Sequence, residues 1–384
     1  MEKVAAFARI QNASSTNMPV NLSSEADLVQ ESGCFHGDAF AIKIVRILPY
    51  FFIITISLIG NSLVVAVVFK NQRMWTTVNF YIVNMAVADL LITIYMPRTF
   101  TVAFVGYEWL VGGTAGQVFC KMSILLNQIP MIVSTFTVVA ISFDRFNAVV
   151  FPLKTLVSTR ICKVIILCTW LVALAFRIPT IYAVEIMTRE SDGKLFCYLR
   201  LDEKFGFGVK RIYYHFNMIA IFSVPLLMIV IFYTTIIVTL KRRKTPGLTP
   251  ENSSNNSEGF RRREVVKKKV LRLVSIVVTA FVLCWSLYYV RLSMFAYGRD
   301  LSCDWLYVRL LLAHMNSALN PCLYAIFSEN YRRGFKKILA RANFCKRRFQ
   351  RADSLRSVRW HRAWDSNGSI SIRIEPETQK PSSL

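Results

Sequence analysis

Seven long apolar runs alternate with short charged stretches along this chain, near Val45 to Phe69, Val78 to Phe104, Gln117 to Val150, Ile161 to Val184, Ile212 to Leu240, Leu273 to Tyr297 and Leu306 to Phe327. A helix of roughly 20 apolar residues crosses the hydrocarbon layer of a bilayer, so each run predicts one membrane span. The predicted fold is an all-α membrane protein, a seven-transmembrane helix bundle over 45–327 behind an N-terminal tail at 1–44. Past the seventh run, Phe335, Ile338 and Leu339 recur at helical spacing among basic residues, which predicts a short amphipathic helix on the inner leaflet over 328–344. A polar tail follows at 345–384. Between runs four and five, Asp192-Gly193 separates two β-compatible stretches within Val184 to Leu199 and predicts a hairpin, with Cys197 on its second strand.

Composition agrees with a membrane assignment. The chain has 384 residues, 54% of them hydrophobic, and a mean hydropathy of +0.40, too apolar for a soluble protein of this length. A net charge of +24 could suggest nucleic acid, but the basic residues lie between and after the spans, where they set membrane orientation instead. Loops one, three and five carry 16 Lys and Arg against 7 in loops two, four and six, which places the odd loops in the cytoplasm and the N-terminus outside the plasma membrane. No basic segment followed by an apolar stretch opens the chain, so the first span is expected to act as the targeting signal. The sequons at Asn12 and Asn21 then become glycosylation candidates. Loop five, rich in Asn and Ser, reads as disordered. Cys345 lies among Lys and Arg as a palmitoylation candidate, and Ser354, Ser357, Ser382 and Ser383 mark a tail for phosphorylation.

Candidate chemistry centres on the third span. It ends on Asp144-Arg145-Phe146, an ion pair at the boundary of lipid and water, where it can break and re-form at modest cost. Asn127 and Arg145 are separated by 18 residues, five helical turns or roughly 27 Å, so one helix face joins two ends of the bundle. Asn61, Asp89, Ser134, Asn316 and Asn320 fall at mid-membrane, where polar groups need partners. Together they can enclose a cation or a proton at Asp89. Asn316, Asn320 and Tyr324 share a face of span seven, and Pro321 removes a backbone donor beside Asn320, forming a hinge. Phe281 and Trp285 lie one turn apart on span six.

Asn61, Asn84 to Leu90, Trp109, Cys120, Asp144-Arg145-Phe146, Trp170, Cys197, Pro225, Tyr233, Phe281, Cys284-Trp285, Asn320 to Tyr324 and Phe335 resemble the signature positions of rhodopsin-like (class A) G protein-coupled receptors, in order, over about Val45 to Phe344. The resemblance implies a Cys120–Cys197 disulfide. It also implies that Arg145, held by Asp144 at rest, is freed to engage a heterotrimeric G protein with Tyr233 and Tyr324 in support. Trp285 and Phe281 would relay ligand contact to span six. A sodium ion at Asn61, Asp89, Ser134, Asn316 and Asn320 would favour rest, with no other cofactor. Receptor kinases and arrestin are the expected partners of the tail. Two departures stand out: Phe146 replaces the usual tyrosine, and Leu287 replaces the proline after the tryptophan, leaving Ser286 to bend span six through a hydrogen bond four residues back.

The position where aminergic members carry an aspartate is Asn127, and span seven has no retinal lysine, His314 standing at the matching place. The outer span ends are cationic, at Arg98, Arg177, Arg291 and Arg309. The expected ligand is a peptide of the neuropeptide branch, meeting Arg98, Asn127, Gln128, Met131, Tyr288, Arg309 and His314, with a carboxylate on one or two of the arginines. Cys34 and Cys303 are expected to pair as a second disulfide. Three rival readings carry discriminating features. A transporter would show repeated halves, a metal hydrolase clustered ligands, and a scavenger receptor of the same fold would bind without coupling.

Overall fold

The structure is a computed structural model that describes residues 38–152, 156–190, 192–242, 272, 275–294, 297, 302–341, 360–364 and 370–374. Asn12, Asn21, Cys34, Cys345, the four tail serines and the middle of loop five lie outside the described residues. Contacts divide the chain into two units, 1–328 and 329–384.

In the first unit seven helices are long and apolar enough to cross a membrane: Phe40–Lys70, Thr77–Val102, Gly113–Val150, Thr159–Ala183, Val209–Thr239, Ser275–Met294 and Cys303–Phe327. Span three is the central one, with 61% of its apolar window buried against 22% for spans four and five. Large apolar side chains such as Phe51, Phe52, Leu167, Leu171, Ile178, Leu227, Ile231 and Leu283 point outward and exposed. In water that surface would aggregate; against lipid tails it is at home.

Without a hydrophobic force to drive helices together inside lipid, close approach and hydrogen bonds fix the packing. The Asn84 amide donates to Thr137 Oγ1 at 2.8 Å and its oxygen accepts the Trp170 indole N–H at 2.9 Å, joining spans two, three and four. Ser57 and Thr93 hydroxyls meet at 2.6 Å between spans one and two. Spans one and seven touch at Gly60, where an added Cβ would lie 2.6 Å from both Cβ and Cγ of Pro321. The next residue, Asn61, donates to the carbonyl of Ser317, one turn before Pro321, at 2.9 Å.

Two backbone irregularities depart from simple spans. Span two is broken at Met96-Pro97 into Thr77–Tyr95 and Arg98–Val105, because Pro97 has no N–H to continue the ladder. By contrast Pro49, Pro130, Pro179 and Pro321 ride inside unbroken helices. Span five contains a π-helical turn, Met218–Ser223, just ahead of Pro225, a bulge that re-aims the side chains before it. On span six, Ser286 Oγ bonds the carbonyl of Leu283, three residues back rather than four, at 3.1 Å.

The predicted hairpin is present: β1 (Val184–Thr188) pairs antiparallel with β2 (Leu195–Leu199), Ile186 opposite Cys197. In the second unit, residues 329–341 are helical, and the rings of Tyr331 and Phe335, one turn apart, lie 6.0 Å apart. Two further strands, β3 (Trp360–Trp364) and β4 (Ile370–Ile374), pair antiparallel within what reads as a plain polar tail.

Gly60 generates a test. Gly60→Val should force span one away from Pro321 and lower stability by about 1–3 kcal/mol, seen as a reduced melting midpoint of the purified protein, while Gly60→Ala should cost less.

Candidate functional site

One end of the bundle is organised by the Cys120–Cys197 disulfide, which ties span three to β2. Gln117, one turn before Cys120, reads the hairpin backbone twice: its amide donates to the Val184 carbonyl at 2.8 Å and its oxygen accepts from Ile186 N at 2.9 Å. Gly116 has no room for a side chain, since a Cβ would lie 2.0 Å from the Val111 carbonyl oxygen. The loop after span two joins from the other side, with Trp109 N donating to the Leu195 carbonyl at 2.7 Å and Lys194 pairing Glu108 at 2.9 Å. The turn closes at Gly193 (φ 67°), beside an Arg189–Asp192 ion pair. That guanidinium holds the Asp192 carboxyl down at about 2, and the Lys194 backbone adds a smaller pull. At the base of the hairpin Lys204 first, and Arg200 after it, lower Glu185. Cys303 is disulfide-bonded; its expected partner Cys34 lies outside the described residues.

Below this roof the sequence-predicted ligand residues divide into three groups. Arg98 and His314 line one small cavity of about 60 Å³ with Tyr50, Tyr95, Tyr107 and Tyr307. His314 is buried, its ring edge-on to Tyr50 and Tyr95. Arg98 bonds Thr101 and donates to the carbonyls of Tyr107 and Glu108 at 3.2 and 3.0 Å while covering Trp109, so it also shapes the loop. Arg46, absent from the expected set, borders the same cavity and is paired with Asp38 and Asp304. Its signal was a lone cation inside an apolar first run.

The second group joins spans six and seven. Arg309 is buried with its guanidinium 5.6 Å from the Tyr288 ring centroid, and Tyr288 stands edge-on to Trp285 at 5.6 Å. Trp285 in turn faces Phe281 at 6.3 Å. Gln128 belongs to a third group: its oxygen accepts from Arg177 at 3.0 Å. Met131 is buried one turn on and Asn127 is half-buried beside them. Three of the four arginines expected at the outer span ends, Arg177, Arg291 and Arg309, are buried rather than extended to the surface.

At mid-bundle Asn320 donates to Asp89 Oδ2 at 2.8 Å. Asp89 Oδ1, Asn61 Oδ1, Ser134 Oγ and Asn316 Nδ2 are buried without a hydrogen-bond partner. Asp89 Oδ1, Asn61 Oδ1 and Ser134 Oγ are oxygens of the kind a hard cation takes, so these three fit sodium, whereas the Asn316 orphan is an N–H donor and does not.

At the opposite end Asp144 is buried and grips Arg145 through Nε at 3.1 Å and through Nη2, while its second oxygen accepts from Thr77 Oγ1 at 3.0 Å. Phe146 meets Phe232 at 5.3 Å and Phe151 at 6.1 Å. Both contacts are ring to ring and need no hydroxyl. Tyr233 is half-buried with its hydroxyl unpartnered, and Tyr324 is buried on span seven.

Seven spans, a hairpin clamped to span three, and an arginine locked at the far end define a helical membrane receptor. The family model described as "7 transmembrane receptor (rhodopsin family)" matches residues 60–324, and the chain belongs to that family. It is similar to rat somatostatin receptor type 4, 30% identical over 319 residues, covering 82% of this chain and 77% of the relative. Rat neuropeptide FF receptor 2 is 30% identical over 357 residues, 88% and 82% of the two chains. Human neuropeptide FF receptor 1 is 31% identical over 321 residues, 78% and 71%.

The hairpin turn yields a pH prediction. Because the folded Asp192 value, about 2, lies below the usual 3.8, the Arg189 pair supports the turn above about pH 4 and is lost as pH falls through about 2. The carboxyl carbon shift of Asp192, followed by NMR, should titrate near 2, and move up toward 3.8 in Arg189→Gln, where the Lys194 contribution remains.

Proposed function

We propose that this protein is a plasma-membrane receptor, N-terminus outside, that binds an extracellular peptide and activates heterotrimeric G proteins. The observation that carries the reading is the pair of ends of one bundle. A cavity with Arg98, His314 and Arg46 lies among spans one, two and seven, and Arg145 is held shut by Asp144 at the other end. The names of its relatives, somatostatin and neuropeptide FF receptors, support a peptide.

Span seven connects the two. A ligand carboxylate drawn to Arg309 competes with the Tyr288 ring for the guanidinium, and a charge-assisted hydrogen bond outweighs a cation–π contact. Tyr288 is then free to shift, releasing the edge contact on Trp285 and letting span six move. A sodium ion would add positive charge beside Asp89 and favour the resting arrangement. Asp89, Asn61 and Ser134 would supply its oxygens, with Asn316 and Asn320 of span seven beside them, so a bound ion would tie spans one, two and three together next to span seven. Arg145, once released from Asp144, offers a guanidinium to the G protein, with Tyr233 and Tyr324 positioned to support it. Glycans at Asn12 and Asn21, a palmitoyl group at Cys345, and a tail read by receptor kinases and arrestin complete the proposal.

The second reading, a binding receptor that does not couple, draws on Leu287: the helix Ser275–Met294 runs through that position without a proline. A peptide-library screen on the receptor in lipid nanodiscs, read by nucleotide exchange on a panel of G proteins, separates the two. Coupling predicts peptide-dependent exchange; saturable peptide binding that leaves every G protein idle would establish the scavenger. With an active peptide in hand, Arg309→Glu should reduce potency by roughly 10–100-fold, and unchanged potency would remove the carboxylate contact. Asp144→Asn should raise peptide-independent exchange several-fold, because Arg145 loses its counter-charge.

A further inference from the structure

Arg177 on span four is 5% exposed and has no carboxylate partner among the described residues. Its bonds go to neutral groups: Nη1 to Gln128 Oε1 at 3.0 Å and to the Tyr213 hydroxyl at 3.1 Å, and Nη2 to Asn217 Oδ1 at 2.8 Å. A guanidinium remains charged at any physiological pH and has five N–H donors. Three are used here, which leaves Nε–H, buried without a partner, and the second hydrogen on Nη2. Two donors on adjacent nitrogens are what one carboxylate accepts. Neutral amides and a phenol satisfy hydrogens but cannot cancel a charge in a low-dielectric interior.

The surroundings are built to present this cation. The Tyr213 hydroxyl donates to the Phe176 carbonyl at 2.9 Å and meets Thr180 Oγ1 at 2.7 Å, and the Asn217 amide donates to the Tyr213 carbonyl at 2.6 Å. Two of the neighbours that orient Arg177, Tyr213 and Asn217, are therefore themselves held by spans four and five. The Tyr289 hydroxyl on span six is buried, unpartnered and within electrostatic reach of the guanidinium. Phe222 stacks on the Tyr289 ring at 4.4 Å, and Phe176 on Phe216 at 5.4 Å. Gln128 lies eight residues along span three from Cys120, about 12 Å from the disulfide end.

We infer that Arg177, with Gln128 and Tyr289, forms an anion subsite between spans three to six that receives a carboxylate carried next to an aromatic or other apolar group of the ligand. This subsite is separate from the Arg98–His314 cavity and from Arg309. It rests on the reading of the bundle as a ligand receptor and does not depend on coupling, because its test reads binding alone.

The probe is sodium benzoate at millimolar concentration, compared with benzamide and with sodium chloride at constant sodium, on the full chain purified in detergent, read by the melting midpoint. Benzoate should stabilise the protein where benzamide and chloride do not. Arg177→Gln should weaken apparent benzoate binding about tenfold or more, whereas Arg98→Gln and Arg309→Gln retain it. Tyr289→Phe removes a hydroxyl that bonds nothing at rest, so it folds as the parent does, and it should weaken benzoate severalfold even if Arg177→Gln cannot be purified. No benzoate effect on the parent protein, an equal effect of chloride, or full retention in Tyr289→Phe or Arg177→Gln would overturn the assignment. Failure of every G protein to respond in nucleotide exchange would leave this result standing.

Discussion

The hydrogen bond from Asn320 to Asp89 is the contact from which the rest of the bundle hangs. A carboxylate in the middle of a lipid-embedded bundle is tolerated only with compensation, and the compensation comes from a different helix, so span seven is fixed in height and rotation against span two. Gly60 against Pro321 and Asn61 on the Ser317 carbonyl fix it against span one at the same level. Arg309 is eleven residues above Asn320 and Tyr324 one turn below, so Arg309 and Asn320 lie within about 20° of one helix face. A force on the guanidinium at one end and a rearrangement at the other therefore act on the same helix, on either side of a polar anchor whose second oxygen, Asp89 Oδ1, has no hydrogen-bond partner.

Much of this was legible in the residues because the signals are local. Apolar runs gave the spans, Asp192-Gly193 gave the hairpin turn, and the signature cysteines gave the bond that joins them. Prolines show where local reading ends. Pro97 breaks span two, while Pro49, Pro130, Pro179 and Pro321 continue their helices. One residue type thus has two outcomes, and burial does not sort them, since Pro49 and Pro179 lie in spans less buried than the one Pro97 breaks. The π-helical turn at Met218–Ser223 has no single-residue signature either.

Site membership was harder still. Arg98, Arg177 and Arg309 read alike as cations at span ends, yet they separate into a loop clasp, a buried node between spans three to five, and the ring of Tyr288. Gln128 and His314, which a linear reading puts in one cavity, serve different groups, because the partner of Gln128 is 49 residues away on span four. Pairings of that kind are decided by the rotation of three helices together, and hydropathy carries no information about rotation to that accuracy. Arg46 went unnoticed for a related reason: a cation in the first span looks like a flaw in an apolar run until Asp304, 258 residues on, supplies its partner.

Leu287 changes where the bundle can yield. A proline after Trp285 would leave a carbonyl one turn earlier without its donor and make span six the soft element. Here span six keeps its full ladder through that position, with only the Ser286 side chain competing for the Leu283 carbonyl. The weakened backbone lies elsewhere, in span seven at Pro321 and in span five at the π-helical turn. Phe222 belongs to that turn and stacks on Tyr289 of span six, while Trp285 and Tyr288 connect span six to Arg309 of span seven. A stiff helix held between two yielding ones moves as a unit when its aromatic contacts are re-made. For the receptor proposed here, the loss of one hinge therefore transfers compliance to the neighbours that grip Tyr289 and Tyr288, and those are the residues that face the Arg177 and Arg309 groups.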